Sequence, residues 1–179
     1  MTTENKEKLA IDVKLQIKDV LRYNMYIAYK SWFSKIVLVV GVLLCGWMIY
    51  LFATTTKSLD VFISENIIML MLSVFILIAT PLKVWRITAA QMQSPIFSGV
   101  SHYEFTKESI YIRVNALEDT VTWNTYSYMM ETNKDFRFFV DKVQAQIIPK
   151  HNMTTEEVSL LRKLIQEANP KEVYNIKKV

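Results

Sequence analysis

From Ile36 to Thr56 the chain carries no charged side chain, and its stretch IVLVVGVLLCGWMIYLFA is almost wholly apolar. These 21 residues, at a helical rise of 1.5 Å each, span roughly 31 Å, the thickness of a bilayer's hydrocarbon core. A second uncharged run, Asn66 to Leu82, has 17 residues and reaches roughly 25 Å, the short end for a span. Val61, Phe62 and Ile63 lengthen it and leave Glu65 near the interface. A chain of 179 residues has no shell large enough to bury two such helices in a soluble core. A cleaved signal peptide fits poorly, because 35 residues with eleven charges precede the first run and no A-x-A site follows it. The expectation is a permanent hairpin: transmembrane helix 1 at 36–56, an external loop at 57–64, and transmembrane helix 2 at 65–82.

Charges beside the spans orient it. Arg22, Lys30 and Lys35 precede the first span, Lys83 and Arg86 follow the second, and the loop sets Lys57 against Asp60 and Glu65. Both termini are therefore expected in the cytoplasm. Trp32, Phe33, Lys35, Lys83, Trp85 and Arg86 form the inner membrane interface, with Trp47 and Tyr50 nearer the outer one. Gly41 and Cys45 stand four apart, a small-xxx-small pair that permits close helix contact and, through it, a homodimer.

Composition excludes several chemistries. One Cys allows no internal disulfide, and with two His it cannot complete a Cys/His zinc site. Three scattered glycines, Gly41, Gly46 and Gly99, make no phosphate-cradling loop. The net charge of +4 divides by region. Residues 1–35 carry +3, residues 57–65 −1, Lys83 with Arg86 +2, residues 97–170 −2, and the tail +2. A slightly acidic folded domain offers no phosphate-tracking surface, so nucleic acid is not an expected partner.

Outside the spans, residues 1–9 read as a disordered tail. At 10–35 a cytoplasmic strand and helix lead into the membrane. Ile11, Val13, Leu15 and Ile17 alternate with polar residues as a half-buried strand. Asp19 caps a helix starting near residue 20 and continuing into the first span. A lone strand needs partners, and the supply lies after the second span. Residues 83–96 extend that span as a juxtamembrane helix ending near Pro95. Six short alternating segments follow at turn spacing, the third including Val121 and Trp123 and the last ending at Pro149. Thr154 and Glu157 then make a capping box. Val158, Leu161, Leu164, Ile165 and Ala168 form one apolar helical stripe. Residues 171–179 read as a basic tail. The fold class expected is thus an α+β membrane protein. A transmembrane hairpin carries an antiparallel barrel or bent sheet of about seven strands, the first N-terminal, with a C-terminal helix over residues 97–170.

Several short stretches carry a family likeness: Glu108–Ser109–Ile110, Val121–Thr122–Trp123 followed by Tyr126, and Glu131 at a strand end. Phe136–Arg137–Phe138, Ile147–Ile148–Pro149–Lys150 and Thr155–Glu156–Glu157 complete the set. With the N-terminal strand and the two spans, residues 10–168 resemble the bacterial YcxB-like membrane proteins. The resemblance implies a pleckstrin-homology-like cytoplasmic domain on a two-helix anchor in the bacterial inner (plasma) membrane, with no established reaction to carry over. Basic residues usually follow the proline; here His151 follows Lys150, a departure from an anion-site pattern.

Candidate chemistry is sparse. His102 and His151 read as surface histidines and Cys45 as a small membrane hydrophobe. Glu118–Asp119 reads as a loop pair, and Glu156–Glu157 as a first helical turn suited to the dipole. No catalytic, cofactor or metal site is expected. Among Trp123, Tyr126, Tyr128, Phe136, Phe138 and Phe139, most belong to a core. Phe139 points opposite to Phe136 and Phe138, so Tyr126, Tyr128 and Phe139 are the candidate partner surface. The expected function is a non-enzymatic, membrane-anchored module holding a protein or lipid-linked partner at the cytoplasmic face. The alternative is an immunity protein guarding the producing cell against a membrane-acting toxin or bacteriocin.

Overall fold

The computed structural model describes residues 8–177, so the reading of a disordered tail falls mostly outside the described residues. The chain forms two compact units, one from residues up to Val20 together with those from Ala90 onward, the other from Leu21 to Ala89.

In the first unit β1 (Leu9–Lys14) alternates buried and exposed positions, with Leu9, Ile11 and Val13 inward. It ends three residues before Ile17, which already belongs to helix α1 (Ile17–Ala28). Asp19 lies inside that helix, where its Oδ2 accepts from the Gln16 N–H at 3.0 Å. Its carboxylate thus caps the helix from the first turn rather than from the preceding position. β1 pairs antiparallel with β2 (Val100–Phe105), Leu9 opposite Phe105 and Val13 opposite Ser101. The strand before the apolar runs therefore finds its partner after them.

β2 continues antiparallel to β3 (Ser109–Val114) and β3 to β4 (Leu117–Thr122), completing a sheet of order β1-β2-β3-β4. β5 (Tyr128–Glu131), β6 (Asp135–Phe139) and β7 (Ala145–Pro149) make the second sheet. The two sheets share no ladder, so the barrel alternative does not hold. Trp123 leaves the strand pattern and opens a 3-10 turn, Trp123–Thr125, with its Nε1–H donating to the Thr106 carbonyl at 2.9 Å. The capping box forms as expected: Thr154 Oγ1 accepts from the Glu157 N–H at 3.2 Å and Glu157 Oε2 from the Thr154 N–H at 2.7 Å. It opens a helix at Thr155–Ala168 that buries Val158, Leu161, Leu164 and Ile165. These join β1–β3, β6 and β7 in one core in which Phe138 meets Phe105, Trp123 and Tyr126 with ring centroids 5.3–6.1 Å apart.

The expected basic tail is structured through Asn175. After a 3-10 turn at Lys171–Val173, β8 (Tyr174–Asn175) pairs parallel with β5, giving a second sheet of order β7-β6-β5-β8.

The second unit is helical. Helix α2 (Trp32–Thr54) is separated from α1 by a turn at residues 29–31, so no continuous helix runs into the first span. Helix α3 (Leu59–Met92) has 34 residues and is roughly 51 Å long. It absorbs residues 59–64 of the expected external loop, leaving a link of residues 55–58. Asp60 and Glu65 set the end of an apolar run but do not break a helix. Pro81 sits within α3, which ends at Met92, near Pro95 as expected, and Pro95 itself starts a four-residue helix, α4 (Pro95–Ser98). In chain order the helix Thr155–Ala168 is α5.

Candidate functional site

Both long helices are long and apolar enough to cross a membrane, and only 11% of the residues in the apolar stretch of each are buried. Core helices of soluble proteins are mostly covered; these expose Leu43, Ile49, Ile68, Met71 and Phe75, each 66% open or more. Only at the seam do the helices close. A methyl group on Gly41 would lie 2.8 Å from Ile76 Cγ2 and Leu77 Cδ2, so the approach that the small residue permits is made within the chain. The helix contact expected at Gly41 is thus one between α2 and α3 of the same chain. Half-buried Cys45 instead borders an apolar cleft of about 390 Å³ lined by Met48, Phe52, Phe62 and Val74.

The Gly41 contact also sets the antiparallel register. It places Trp32, Phe33 and Lys35 at the same end of the hairpin as Lys83, Trp85 and Arg86. All six side chains are exposed, an aromatic and cationic ring at one end of the apolar zone. At the other end Lys57 Nζ meets Glu65 Oε2 at 2.5 Å. Near the ringed end Asn24 Nδ2 donates to Thr88 Oγ1 at 2.9 Å, joining α1 to α3 through a fully buried threonine.

The proposed aromatic surface is largely withdrawn. Tyr126 and Phe139 are 2% and 3% exposed, and Tyr128 is half-buried with its ring 6.2 Å from Phe139. Alternation correctly sets Phe139 opposite Phe138, but every residue of β6 is buried, so neither face of that strand is open. Tyr126 Oη donates to Gln146 Oε1 at 2.6 Å, and burial pushes the phenol's pKa well up. Burial likewise raises the Tyr103 phenol to about 12. On β6, Arg137 Nε donates to Asp135 Oδ1 at 2.8 Å, an ion pair with both side chains buried.

The densest polar cluster is one that the sequence reading did not assemble. Glu131, at the end of β5, has a fully buried side chain that accepts from Lys150 Nζ, from Arg162 Nη2 at 2.7 Å and from the Lys177 N–H at 2.8 Å. Burial pushes the carboxyl upward, but the hydrogen bonds from Arg162, Lys150 and the Lys177 backbone outweigh it, and the pKa falls to about 2. The same contact raises Arg162. Lys150 also donates to the Thr132 carbonyl at 2.7 Å and stands 5.0 Å from the Phe136 ring centroid. Lys150 is therefore engaged with a carboxylate, and the departure at His151 has a structural role. His151 Nε2 lies 2.8 Å from Oδ2 of buried Asp19, while Asn152 Nδ2 donates to the Lys14 carbonyl at 3.3 Å. The 3-10 turn Lys150–Asn152 is thereby tied to the β1–α1 connection. His102 Nδ1 is 2.6 Å from Asp12 Oδ1, across the β1–β2 pair. His151 is exposed, as expected of a surface histidine, and His102 is half-buried, and each has a carboxylate partner.

Glu131 and Lys150 were visible as strand-end residues. The signal for Arg162 was its place four residues after Val158, on the flank of the apolar stripe. Nothing in the sequence marked Glu131 and Arg162 as neighbours. Among the described residues no group of three or more His, Cys, Asp or Glu side chains could hold a metal ion. No family model, curated protein or solved structure matches the chain.

Proposed function

We propose that this chain is a membrane-anchored interaction module. The α2–α3 hairpin holds it in a bacterial inner membrane, and the two-sheet domain engages a protein or lipid-linked partner at the cytoplasmic face. The exposure of most apolar side chains on both long helices carries this reading, because lipid is the medium in which such a surface costs nothing. The antiparallel pairing of β1 with β2 adds to it. Those strands precede and follow the hairpin, so both ends of the insertion return to one domain and to one side of any bilayer crossed. Lysine and arginine at the ringed end favour the cytoplasm for that side. Two separate sheets of consecutive antiparallel strands, the second joined by the parallel β8, with a helix packed on the core, are what the pleckstrin-homology-like reading of this domain draws on.

Reporter fusions at residue 60 and at the C-terminus test the topology; an external C-terminus would overturn it. Crosslinking in intact membranes followed by co-purification tests the module. Partners should still be captured when α2 and the apolar part of α3 are replaced by unrelated spans. Protection of a sensitive strain against a membrane-acting toxin, lost with the native spans, would instead favour the immunity reading.

A further inference from the structure

The hydroxyl groups of the two long helices are of two kinds. Those of Thr54, Ser64, Ser73 and Thr88 turn back on their own helix, each donating to a carbonyl three or four residues earlier at 2.9–3.0 Å. Ser34 on α2 and Thr80 on α3 do not, and among the described residues neither hydroxyl has a partner. Both line one pocket of about 140 Å³. Tyr29, whose phenol is likewise without a partner among the described residues, lines it too, beside Phe33, Leu38 and Ile76. Tyr29, Ser34 and Thr80 are all half-buried, and polar groups so withdrawn from water are normally hydrogen-bonded. The pocket sits at the ringed end of the hairpin, where the charges of this unit are positive. Lys30, Lys35, Lys83 and Arg86 stand there, while the unit's two carboxylates, Asp60 and Glu65, belong to the opposite end. Lys35 directly follows Ser34, and Lys83 follows Thr80 by three positions, one turn along the same side of α3. Both lysines are exposed, and neither makes an ion pair among the described residues. Ser34 also lies in the first turn of α2, whose dipole favours an anion and whose N-cap Ser31 makes no side-chain cap bond.

We propose that this pocket receives the phosphate of an anionic phospholipid from the leaflet at the ringed end, with an acyl chain lying against Leu38 and Ile76. The site rests on the reading of the hairpin as a membrane anchor. A phosphate ester offers only acceptor oxygens at neutral pH, and Tyr29, Ser34 and Thr80 each bring a hydroxyl able to donate to one. Lys35 and Lys83 add charge-assisted donors beside them. Basic pockets between membrane helices on the cytoplasmic side take anionic head groups for the same reason. A zwitterionic choline lipid fits less well, since it brings its own cation to a place already rich in them. The volume is well below the roughly 300–1,000 Å³ of pockets that enclose a whole drug-sized ligand. It suits the polar end of a molecule whose apolar remainder stays outside. Exposed Leu38 and half-buried Ile76 supply the apolar contact for that remainder.

The test titrates the full chain in mild micelles with short-chain phosphatidylglycerol, short-chain phosphatidylcholine or inorganic phosphate, and counts retained molecules by native mass spectrometry. Wild type should hold one phosphatidylglycerol, and bind phosphatidylcholine roughly tenfold more weakly. Tyr29→Phe, Ser34→Ala and Thr80→Val together remove the hydroxyls and keep the shape. This variant should bind phosphatidylglycerol roughly tenfold more weakly than wild type. Lys35→Gln with Lys83→Gln should erase the preference between the two lipids. Ser34→Leu, which fills the pocket, should reproduce the loss by a different route, and far-ultraviolet circular dichroism checks that each variant keeps its helices. Undiminished phosphatidylglycerol retention by a folded hydroxyl variant or by Ser34→Leu overturns the proposal. Equal affinity of wild type for both lipids also overturns it, marking ordinary annular contact. Saturation by inorganic phosphate at the same concentrations overturns the lipid assignment and gives the pocket to the free ion. Retention is read on purified protein and topology by reporter fusions in cells. Lost retention with the expected topology therefore removes this site alone, whereas an external C-terminus removes the orientation on which it rests.

Discussion

Glu131→Gln removes one charge and almost no volume from the centre of the cluster that Glu131 forms with Lys150, Arg162 and the Lys177 N–H. Its carboxylate is fully buried, is held by Lys150, Arg162 and the Lys177 N–H, and has a pKa near 2 against an ordinary 4.5. Each tenfold change in proton affinity is worth about 1.4 kcal/mol, so the depressed pKa corresponds to about 3 kcal/mol of stability at neutral pH. A carboxyl whose folded pKa lies below its unfolded one stabilises above the unfolded value. That contribution is lost as pH falls from about 4.5 through about 2. Glu131→Gln should therefore cost about 3 kcal/mol at pH 7, since two cations lose their common anion. Lys150 retains the Thr132 carbonyl, which moderates the loss. Urea titration of the full chain in mild micelles, followed by near-ultraviolet circular dichroism of the aromatic core, measures it. Below pH 2 the variant and wild type should converge. Replacing the cluster together (Glu131→Leu, Lys150→Met, Arg162→Met) should recover most of the loss, because no charge is then left uncompensated. A cost under about 0.5 kcal/mol, or a difference that does not shrink with acid, would refute the reasoning.

Gly41→Ile should open the hairpin seam and cost about 1–3 kcal/mol by overpacking, whereas Gly46→Ala, with nothing within 4 Å, should be neutral or stabilising; steric-trap unfolding in micelles compares the two. Thr154→Ala removes the side-chain acceptor of the Glu157 N–H and should lower domain stability by about 1 kcal/mol, read from the urea midpoint. Asn115, at φ 55° in the β3–β4 turn, should accept Gly with little change, while Val there should cost about 1–2 kcal/mol, visible as a lowered melting temperature.

Much of this architecture was legible because its signals are local. Period-two alternation marked β1 and the six later strands, and the Thr154–Glu157 spacing marked the start of α5. Pairing of β1 beyond the spans followed from the instability of a lone strand. Where the reading failed, the deciding contacts were distant or the pattern was silent. Alternation assigns Phe139 a face but cannot say whether that face is covered. Hydropathy locates an apolar zone and not a helix end, so α3 starts at Leu59, six residues before its expected limit, and stops at Met92, short of the expected end of its extension at 96. No Pro or Gly marks the break at residues 29–31. A two-residue parallel strand such as β8 has no periodicity to detect.

By itself the sequence determined two apolar helices, the strand count up to Pro149, the capped terminal helix, and a charge distribution unlike that of a nucleic-acid binder. Each depends on neighbours within a few residues. Only the tertiary structure decided that Gly41 serves the hairpin's own seam, that Tyr126 and Phe139 lie inside, and that Glu131 gathers Lys150, Arg162 and the Lys177 N–H. Such contacts join residues 19–46 positions apart or more, and their energies come from desolvation and geometry that no local pattern encodes.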